Sequence, residues 1–268
     1  MHYLTHEEIQ TELLSILNEF DQFARDNHLR YSLDSGTLLG AIRHKGFIPW
    51  DDDIDVMMPR SDFERMVKLT DKVPEDYGIA YLETDGTAFP FAKFVNYKIR
   101  AEEGRWPSKN CWPHGECFLW IDIFPVDGMS VDEAENLKDF ERIQELKNRR
   151  LFQMYPASNP VLNVVKKIMQ LFMNRATPIQ SIIHSFTQVA VKYPFEESEW
   201  CRDLVWSTAP KARMRTADFD NLIPLEFCDR QFPAIPHWDE YLTSQYGNYM
   251  QLPPEDQQRS HNVTAWRI

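Results

Sequence analysis

The sequence predicts a mixed α/β fold, in which a sheet with flanking helices in the first half is followed by a largely helical C-terminal portion. The first half alternates short apolar runs of strand length with helical patterns, and the patterns that follow are long and helical. With 268 residues, 43% of them hydrophobic, the chain is long enough to bury a substantial core. We therefore expect a catalytic core at residues 1–155 and a helical portion at residues 156–268 that packs on it.

The N-terminal elements follow from capping signals and apolar periodicity. Thr5 and Glu8 have the spacing of a capping box, and apolar residues recur at helical intervals from there to about Asn27. Turn residues and changes of period then predict a series of short elements. These are a strand at Leu29–Asp34, a turn at Ser35 and Gly36, a helix at Thr37–Arg43, a strand at Asp53–Met57 and a helix that a second capping box opens at Ser61 and Glu64.

The same reasoning predicts the remaining elements. A third capping box, Ser130 with Glu133, begins a long amphipathic helix to about Phe152. Three strands precede it and two helical regions follow it, the last of which Gly247 ends. The strands are Gly78–Glu83, Phe91–Ile99 and Phe118–Phe124, and the helical regions are Val161–Tyr193 and His237–Tyr246.

Charge and cysteine content exclude several classes of protein. A net charge of −12 and a pI of about 5.1 are unsuited to binding a nucleic-acid backbone. The 4 cysteines form no dense framework, the first residues lack the pattern of a signal peptide, and no apolar run is long enough to span a bilayer. We expect a cytoplasmic protein.

The segment Pro49–Val56 concentrates acid beside apolar residues. In an extended chain Asp51, Asp53 and Asp55 would project from one face, roughly 6.5 Å apart along the chain, while Ile54 and Val56 would point into the core. Carboxylates on one face share a divalent cation readily, and oxygen ligands with no His or Cys nearby in sequence favour Mg²⁺ or Mn²⁺. The apolar neighbours argue against a solvated acidic turn. A calcium loop of the EF-hand type is rejected, because Val56 would stand where glycine is required.

A glycine-containing segment, Ser35–Gly40, precedes the acidic one. Gly36 would let the backbone approach a phosphate closely, with the first amides of the next helix facing the anion. Such turns are mostly structural. Followed by an Asp-Ile-Asp strand, this one indicates a phosphate site next to a metal.

Three motifs resemble those of the LicD family, which includes the fukutin-related proteins. The first is SGTLLGAIRHKGFIPWDDDIDVMMPRSDFE at Ser35–Glu64, the second is WIDIFPVDG at Trp120–Gly128, and the third is YLTSQYGNYMQLPPEDQQRSH at Tyr241–His261. The resemblance implies a nucleotidyltransferase-like mixed sheet. It also implies transfer of phosphocholine, or another substituted phosphate, from CDP-choline or a related nucleotide donor to a glycan of the lipopolysaccharide or teichoic acid kind, or to its lipid-linked precursor.

Carried over to this sequence, the family's pattern assigns roles to the acids. Asp53 and Asp55 would hold the metal on the donor diphosphate, and Asp51 would add a ligand or support them. Asp122 would share the metal and help to deprotonate the acceptor hydroxyl. Gly36 and Thr37 would lie against the donor phosphates. Two other functions stay open: transfer of a nucleoside monophosphate from a triphosphate, and a non-catalytic scaffold that a metal stabilises.

Weaker signals concern basic and aromatic residues. Arg43, His44, Arg60 and Lys93 are candidates for phosphate binding, although solvated helix ends also carry basic residues. Arg259 and His261 lie in the third motif and are candidates for the same site. Trp106, Trp112 and Trp120, with Tyr81 or Tyr97, are candidates for a choline cage, although core packing is the commoner fate of such rings. A zinc site at Cys111, His114 and Cys117 would lack a fourth ligand and is not expected.

The region Val161–Tyr193 combines long apolar stretches with Lys166, Lys167 and Arg175. Such a region can lie on a membrane surface, near a lipid-linked acceptor. A buried helical hairpin with basic edges explains the pattern equally well, and we favour the hairpin.

Overall fold

The computed structural model describes residues 2–103, 116–155 and 159–268. In those ranges the chain forms an eight-stranded mixed sheet, a separate two-stranded hairpin and the helices around them, so the predicted mixed α/β class is confirmed. The helices are α1 (His6–Asp26), α2 (Ser35–His44), α3 (Arg60–Met66), α4 (Leu82–Asp85), α5 (Glu133–Met154), α6 (Pro160–Ala176), α7 (Ile179–Ala190) and α8 (Trp238–Tyr246). None of them is both long and apolar enough to cross a membrane.

The strands are β1 (Ser32–Leu33), β2 (Asp55–Pro59), β3 (Tyr77–Ala80), β4 (Ala92–Glu103), β5 (Phe118–Gly128), β6 (Trp200–Arg202), β7 (Met214–Arg215), β8 (Ile223–Phe227), β9 (Arg230–Ala234) and β10 (Val263–Arg267). The main sheet has the order β1-β2-β5-β4-β10, with β3 also paired to β4, while β6 and β7 extend β5. The hairpin consists of β8 and β9.

The centre of the sheet brings charged residues into one row. Strand β5 runs parallel to β2 on one side and antiparallel to β4 on the other. Asp122 of β5 is the register partner of Asp55 in β2 and of Lys93 in β4. Because register partners point to the same face of a sheet, three neighbouring strands present two carboxylates and one ammonium side by side.

Helix α1 packs its apolar stripe on this sheet. Ile16, Leu17 and Phe20 are completely buried, and Phe20 contacts the ring of Phe94 in β4. The predicted capping box is confirmed, because the Glu8 amide donates to Thr5 Oγ1 at 3.2 Å and the Thr5 amide donates to Glu8 Oε2 at 2.7 Å.

The other two predicted capping boxes are wrong. Helix α3 begins at Arg60, directly after β2, and Ser61 Oγ donates to Glu196 instead of capping the helix. The N-cap of α5 is Asp132, whose Oδ1 accepts from the Ala134 amide at 2.8 Å. In α5 a carboxylate thus takes the capping role assigned to a serine, whereas α3 has no side-chain cap.

Two predicted boundaries near the acidic segment also move. Helix α2 begins at Ser35 with Asp34 as its N-cap, so Gly36 lies in the first turn of the helix and only Ser35, with φ of 46°, makes the turn. Strand β2 begins at Asp55, so Asp51–Ile54 is extended chain outside the ladder. Its backbone bonds are a donation from the Gln10 side chain to the Asp51 carbonyl at 2.8 Å and one from the Asp122 amide to the Ile54 carbonyl at 2.8 Å, beside the turn bond of the Asp51 amide to Ile48.

The C-terminal portion is less helical than its sequence pattern indicates. Helices α6 and α7 occupy its start, and α8 ends at Gly247 as predicted, but β6 to β10 are also in this portion. Each has two to five residues and forms because a partner is already in place, as β4 is for β10. Such short strands show no long alternation of apolar and polar residues, so the sequence pattern does not predict them. The division near Tyr155 stays a prediction.

A buried ion pair joins β2 to β5 through the first residue of α3. Arg60 donates from Nε to Asp127 Oδ1 at 2.7 Å and from a terminal nitrogen to Oδ2 at 2.8 Å. Both residues are almost inaccessible to solvent. The fork-to-fork geometry occupies both carboxylate oxygens.

Replacing Arg60 by Met should lower the free energy of unfolding by about 3 to 5 kcal/mol, because Asp127 would be left buried without its partner. Urea unfolding of the purified chain measures this change. Lys98→Met, which breaks the exposed pair of Lys98 with Asp76, is the matched control and should change stability little. Equal stability of the two variants would show that the buried pair contributes nothing.

Candidate active site

A cavity of about 470 Å³ opens where the carboxylate row meets the chain that precedes β2. We call it the active-site cavity. Its lining combines acids with aromatic rings, and we call these two sets of residues its acidic half and its aromatic half. The acidic half contains Asp51, Asp53, Asp55 and Asp122 with Ser35, Gly36 and His261, and the aromatic half contains Phe89, Phe91, Trp120, Phe124 and Trp206 with Asp203.

Three elements place the four carboxylates. Asp55 begins β2 and Asp122 lies across from it in β5, while Asp51 and Asp53 come from the extended segment before β2. Ile54 and Val56 are completely buried on the other side. Gly36 is needed beside this group, because a Cβ at Gly36 would come within 2.8 Å of Asp51 Oδ2.

Burial and mutual repulsion make the charged forms of these acids unfavourable. Burial raises the pKa of Asp51 to about 9, and the neighbouring Asp53 carboxylate contributes to the rise. Burial also raises the pKa of Asp53, and it raises the pKa of Asp55 well above its usual range together with the charges of Asp53 and Asp122. A cation bound among them would stabilise the ionised forms.

The donor set fits a divalent cation. One ligand atom from each of Asp51, Asp53 and His261 can be chosen so that the three atoms lie within 4.8 Å of one another. His261 Nδ1 is buried and lies 3.1 Å from Asp53 Oδ2, yet it makes no well-directed hydrogen bond. The sequence offers no histidine near the acids, but the fold supplies one from the C-terminal segment.

Asp52 does not line the cavity and has a different role. Its carboxylate accepts from Ser260 Oγ at 2.6 Å and from the amides of His261 and Val263, both at 2.8 Å. Burial alone would raise the pKa of Asp52, but hydrogen bonds from His261, Ser260 and these amides lower it to about 2. Asp52 thereby fixes the C-terminal segment, and His261 with it, against the acidic segment.

The same contacts make His261 a countercharge. The Asp52 carboxylate, with Oδ1 3.5 Å from His261 Nδ1, raises the pKa of His261 to about 9 in spite of burial, and the charges of Asp53 and Asp51 act in the same direction. In the absence of a metal, the imidazolium of His261 therefore offsets part of the negative charge.

Lys93 lies where the two halves of the cavity meet. Its ammonium pairs with Asp122 and lies over three rings, 4.3 Å from the centroid of Trp120, 4.6 Å from Phe89 and 5.1 Å from Phe91. The rings of the aromatic half thus already stabilise one positive charge, that of the Lys93 ammonium.

The structure brings together part of the residue set that the sequence suggested. Gly36, Lys93, Trp120 and His261 line the cavity with the four acids. Thr37, Arg43, His44, Arg60 and Arg259 are absent from its lining. Trp106 and Trp112, like Cys111 and His114 of the rejected zinc site, lie outside the described residues.

Most of the residues outside the lining have other contacts. Thr37 Oγ1 accepts from the Asp55 amide at 2.9 Å. Arg43 donates to the Tyr249 carbonyl at 2.8 Å and to His44 Nε2 at 2.9 Å. The rings of Tyr81 and Tyr97, the other cage candidates, contact Phe63 and Phe118 respectively.

Sequence reasoning missed several residues that line the cavity, among them Asp203, Trp206 and Tyr246. Asp203 and Trp206 come from the irregular chain after β6, and Tyr246 ends α8. Asp203 and Trp206 stand in no recognisable motif or period, so the sequence contained no signal for them. Tyr246 lies inside the third motif and was available to be chosen.

The fold and the cavity together define the class of the protein: an α/β domain whose mixed sheet presents a cluster of acids beside aromatic rings. Residues 28–156 match the family described as "LicD/FKTN/FKRP, nucleotidyltransferase domain". The chain therefore contains a LicD-family domain, which confirms the predicted resemblance. The matched segment includes the four cavity acids and Lys93, whereas Asp203, Trp206 and His261 lie beyond it.

Individual proteins show the same relationship. The lipopolysaccharide cholinephosphotransferase LicD of Haemophilus influenzae is 29% identical over 273 aligned residues, which cover 98% of each chain. An uncharacterised protein of Rickettsia typhi is 37% identical over 60 residues, which is 22% of this chain and 19% of that protein. An uncharacterised protein of Rickettsia prowazekii is 40% identical over 50 residues, or 19% of each.

Replacing Asp52 by Ala should release the C-terminal segment. Two amides and one hydroxyl would lose a charged acceptor, so the amides of His261 and Val263 should exchange their hydrogens at least about tenfold faster. Hydrogen exchange followed by mass spectrometry measures this rate. Ser260→Ala removes one of the three bonds and should have a smaller effect. Unchanged exchange in Asp52→Ala would mean that other contacts fix the segment.

Proposed function

We propose that the chain is a metal-dependent phosphotransferase. It moves phosphocholine, or a similarly substituted phosphate, from a CDP-linked donor to a sugar hydroxyl of a cell-surface glycan such as lipopolysaccharide, or of its lipid-linked precursor. The observation that carries the proposal is the single cavity in which four carboxylates face an aromatic wall. The name of the Haemophilus relative supports the choice of phosphocholine.

The acidic half would hold Mg²⁺ or Mn²⁺ through Asp51, Asp53, Asp55 and Asp122. Bound there, the metal would neutralise charge on the donor diphosphate and on the phosphoryl group during transfer. The raised pKa values of Asp51, Asp53 and Asp55 support this assignment, because they mark a cluster that needs positive charge. His261 would stay beside the metal as a further donor or as a hydrogen-bond partner of a ligand.

The remaining chemistry is assigned to the chain's own groups. The acceptor hydroxyl oxygen attacks the phosphorus of phosphocholine, the bond from phosphorus to the CMP oxygen breaks, and the hydroxyl proton passes to Asp122. Lys93 holds the Asp122 carboxylate at the border between the two halves of the cavity. Gly36 leaves room for a phosphate near the first turn of α2.

The choline group is assigned to the aromatic half. The rings of Phe91, Phe124 and Trp206 pack together, with centroids 4.6 Å apart for Phe91 and Phe124 and 4.9 Å apart for Phe91 and Trp206. Asp203 adds a carboxylate, whose pKa burial raises to about 7. Aromatic faces with one acid are the usual surroundings of a quaternary ammonium. We propose this subsite in place of the cage suggested from Trp106, Trp112 and Trp120. Of those three residues, Trp120 lines the same cavity.

We further propose that the chain acts in the cytoplasm, at the inner face of the membrane, and binds no nucleic acid. A nucleotidyltransferase that acts on a triphosphate is the alternative enzyme, and its products would be pyrophosphate and a nucleotidylated acceptor. A non-catalytic scaffold would bind metal but release no product from any donor. The products therefore distinguish the three functions.

With CDP-choline, a glycan acceptor and Mg²⁺, the chain should release CMP, and EDTA should stop the release. Asp53→Asn and Asp55→Asn should each lower kcat/KM by about 100-fold or more, because charge neutralisation supplies much of the rate in phosphoryl transfer. CMP is measured by chromatography. Asp71→Asn, which changes an exposed acid, is the control and should be fully active.

Survival of most of the activity in Asp53→Asn would remove that residue from the site. Pyrophosphate from CTP, with no CMP from any CDP-linked donor, would replace the phosphotransferase by the nucleotidyltransferase.

Asp203→Asn and Trp206→Leu should raise KM for CDP-choline by about tenfold, because both weaken the site for the ammonium. KM for CDP-glycerol, whose head group is uncharged, should change much less in the same variants. Steady-state kinetics with both donors measures the difference. An equal rise for the two donors would show that these residues support the cavity without recognising the ammonium.

A further inference from the structure

Helix α6 turns its apolar side outward. Seven side chains of this helix are between 49% and 72% exposed, the most exposed being Leu171 and Phe172. They span about half of the helix circumference, as the helical period of 3.6 residues places them. We call them the α6 apolar face: Leu162, Val164, Val165, Ile168, Met169, Leu171 and Phe172.

The opposite side of α6 is polar and holds the helix in this orientation. Gln170 Nε2 donates to the carbonyls of Phe152 and Tyr155 at 2.8 and 2.9 Å, at the end of α5. The Lys166 ammonium lies 4.7 Å from the centroid of the Phe152 ring. A helix whose polar side packs inward and whose apolar side faces solvent requires a cover.

Helix α7 has the ordinary arrangement. Ile182, Ile183 and Phe186 are buried in a cluster with Ile143 and Leu146 of α5. The hairpin favoured from the sequence is therefore buried in its second helix, but the expectation is wrong for the first. Of the two helices, only α6 turns an apolar face outward.

Charge identifies what covers the face. From Leu146 to Phe195 the sequence contains seven Lys and Arg residues and no Asp or Glu, although the chain as a whole has a net charge of −12. Four of the seven are exposed: Arg149, Lys167, Arg175 and Lys192. Lys167 and Arg175 are exposed on α6 itself. An anionic surface would attract this segment and repel the rest of the chain, and so would orient the molecule.

We propose that the α6 apolar face lies on an anionic phospholipid surface. Its apolar side chains enter the boundary between head groups and acyl chains, and Lys167 and Arg175 lie among the phosphates. The helix has 17 residues and includes three basic ones, so it lies along the surface and does not cross it. A second copy of the chain is a poorer cover, because it would bring the same basic residues together with no acid in the segment to pair with them.

Flotation of the full chain with phospholipid vesicles tests the proposal and needs no donor or acceptor, so its outcome does not depend on the proposed function. The chain should float with vesicles of phosphatidylcholine and phosphatidylglycerol, and much less with phosphatidylcholine alone. Leu171→Ser with Phe172→Ser should reduce binding about tenfold or more, because two apolar side chains would no longer be buried. Lys167→Glu with Arg175→Glu should remove the preference for the anionic lipid.

Val131→Ser changes an apolar residue elsewhere that is even more exposed, and it is the control that should still bind. Circular dichroism shows whether each variant is folded. No flotation with either vesicle, or flotation unaffected by Leu171→Ser with Phe172→Ser, would overturn the proposal. A dimer in light scattering that the same double variant converts to monomer, with no vesicle binding, would assign the face to a second copy instead.

Discussion

The rest of the site depends on one electrostatic constraint, which is that Asp51, Asp53, Asp55 and Asp122 share a partly buried cavity. Each carboxylate loses hydration there and repels its neighbours, so the chain must supply positive charge from outside the acidic segment. Lys93 supplies it from β4, and His261 supplies it from the chain just before β10. Both strands pair with each other, and β4 also pairs with β5, so the order of the sheet decides which cations reach the acids.

Neighbouring residues of the acidic segment meet this constraint in opposite ways. Asp51 faces other carboxylates, and burial raises its pKa to about 9. Asp52 faces the hydroxyl of Ser260 and two backbone amides, which lower its pKa to about 2. The alternation of an extended chain separates the two environments, so one acid joins the cavity while the next fixes the segment that carries His261.

The sequence was sufficient for features that depend on local spacing. Helix α1 and its capping box, the apolar residues Ile54 and Val56, and the alternation that directs Asp51, Asp53 and Asp55 to one side are all of this kind. It failed where another residue competes, as the nearby Asp132 does for the cap of α5 and the distant Glu196 does for the Ser61 hydroxyl. It also did not predict that Asp203 and Trp206 line the cavity. Both lie in irregular chain after β6, which has no periodicity from which the direction of a side chain could be predicted.

The division of the cavity into two halves bears on the choice of substituent. A phosphocholine group is negative at its phosphate and positive at its ammonium, and the cavity is lined both by the acids that would hold a metal and by aromatic rings with Asp203. Lys93 shows that these rings tolerate a cation, since its ammonium lies over Trp120, Phe89 and Phe91. A neutral substituent such as ribitol would gain little from the attraction that the rings and the Asp203 carboxylate offer to an ammonium group. The aromatic half, of which Asp203 and Trp206 lie outside the matched segment, is therefore where discrimination among donors would arise.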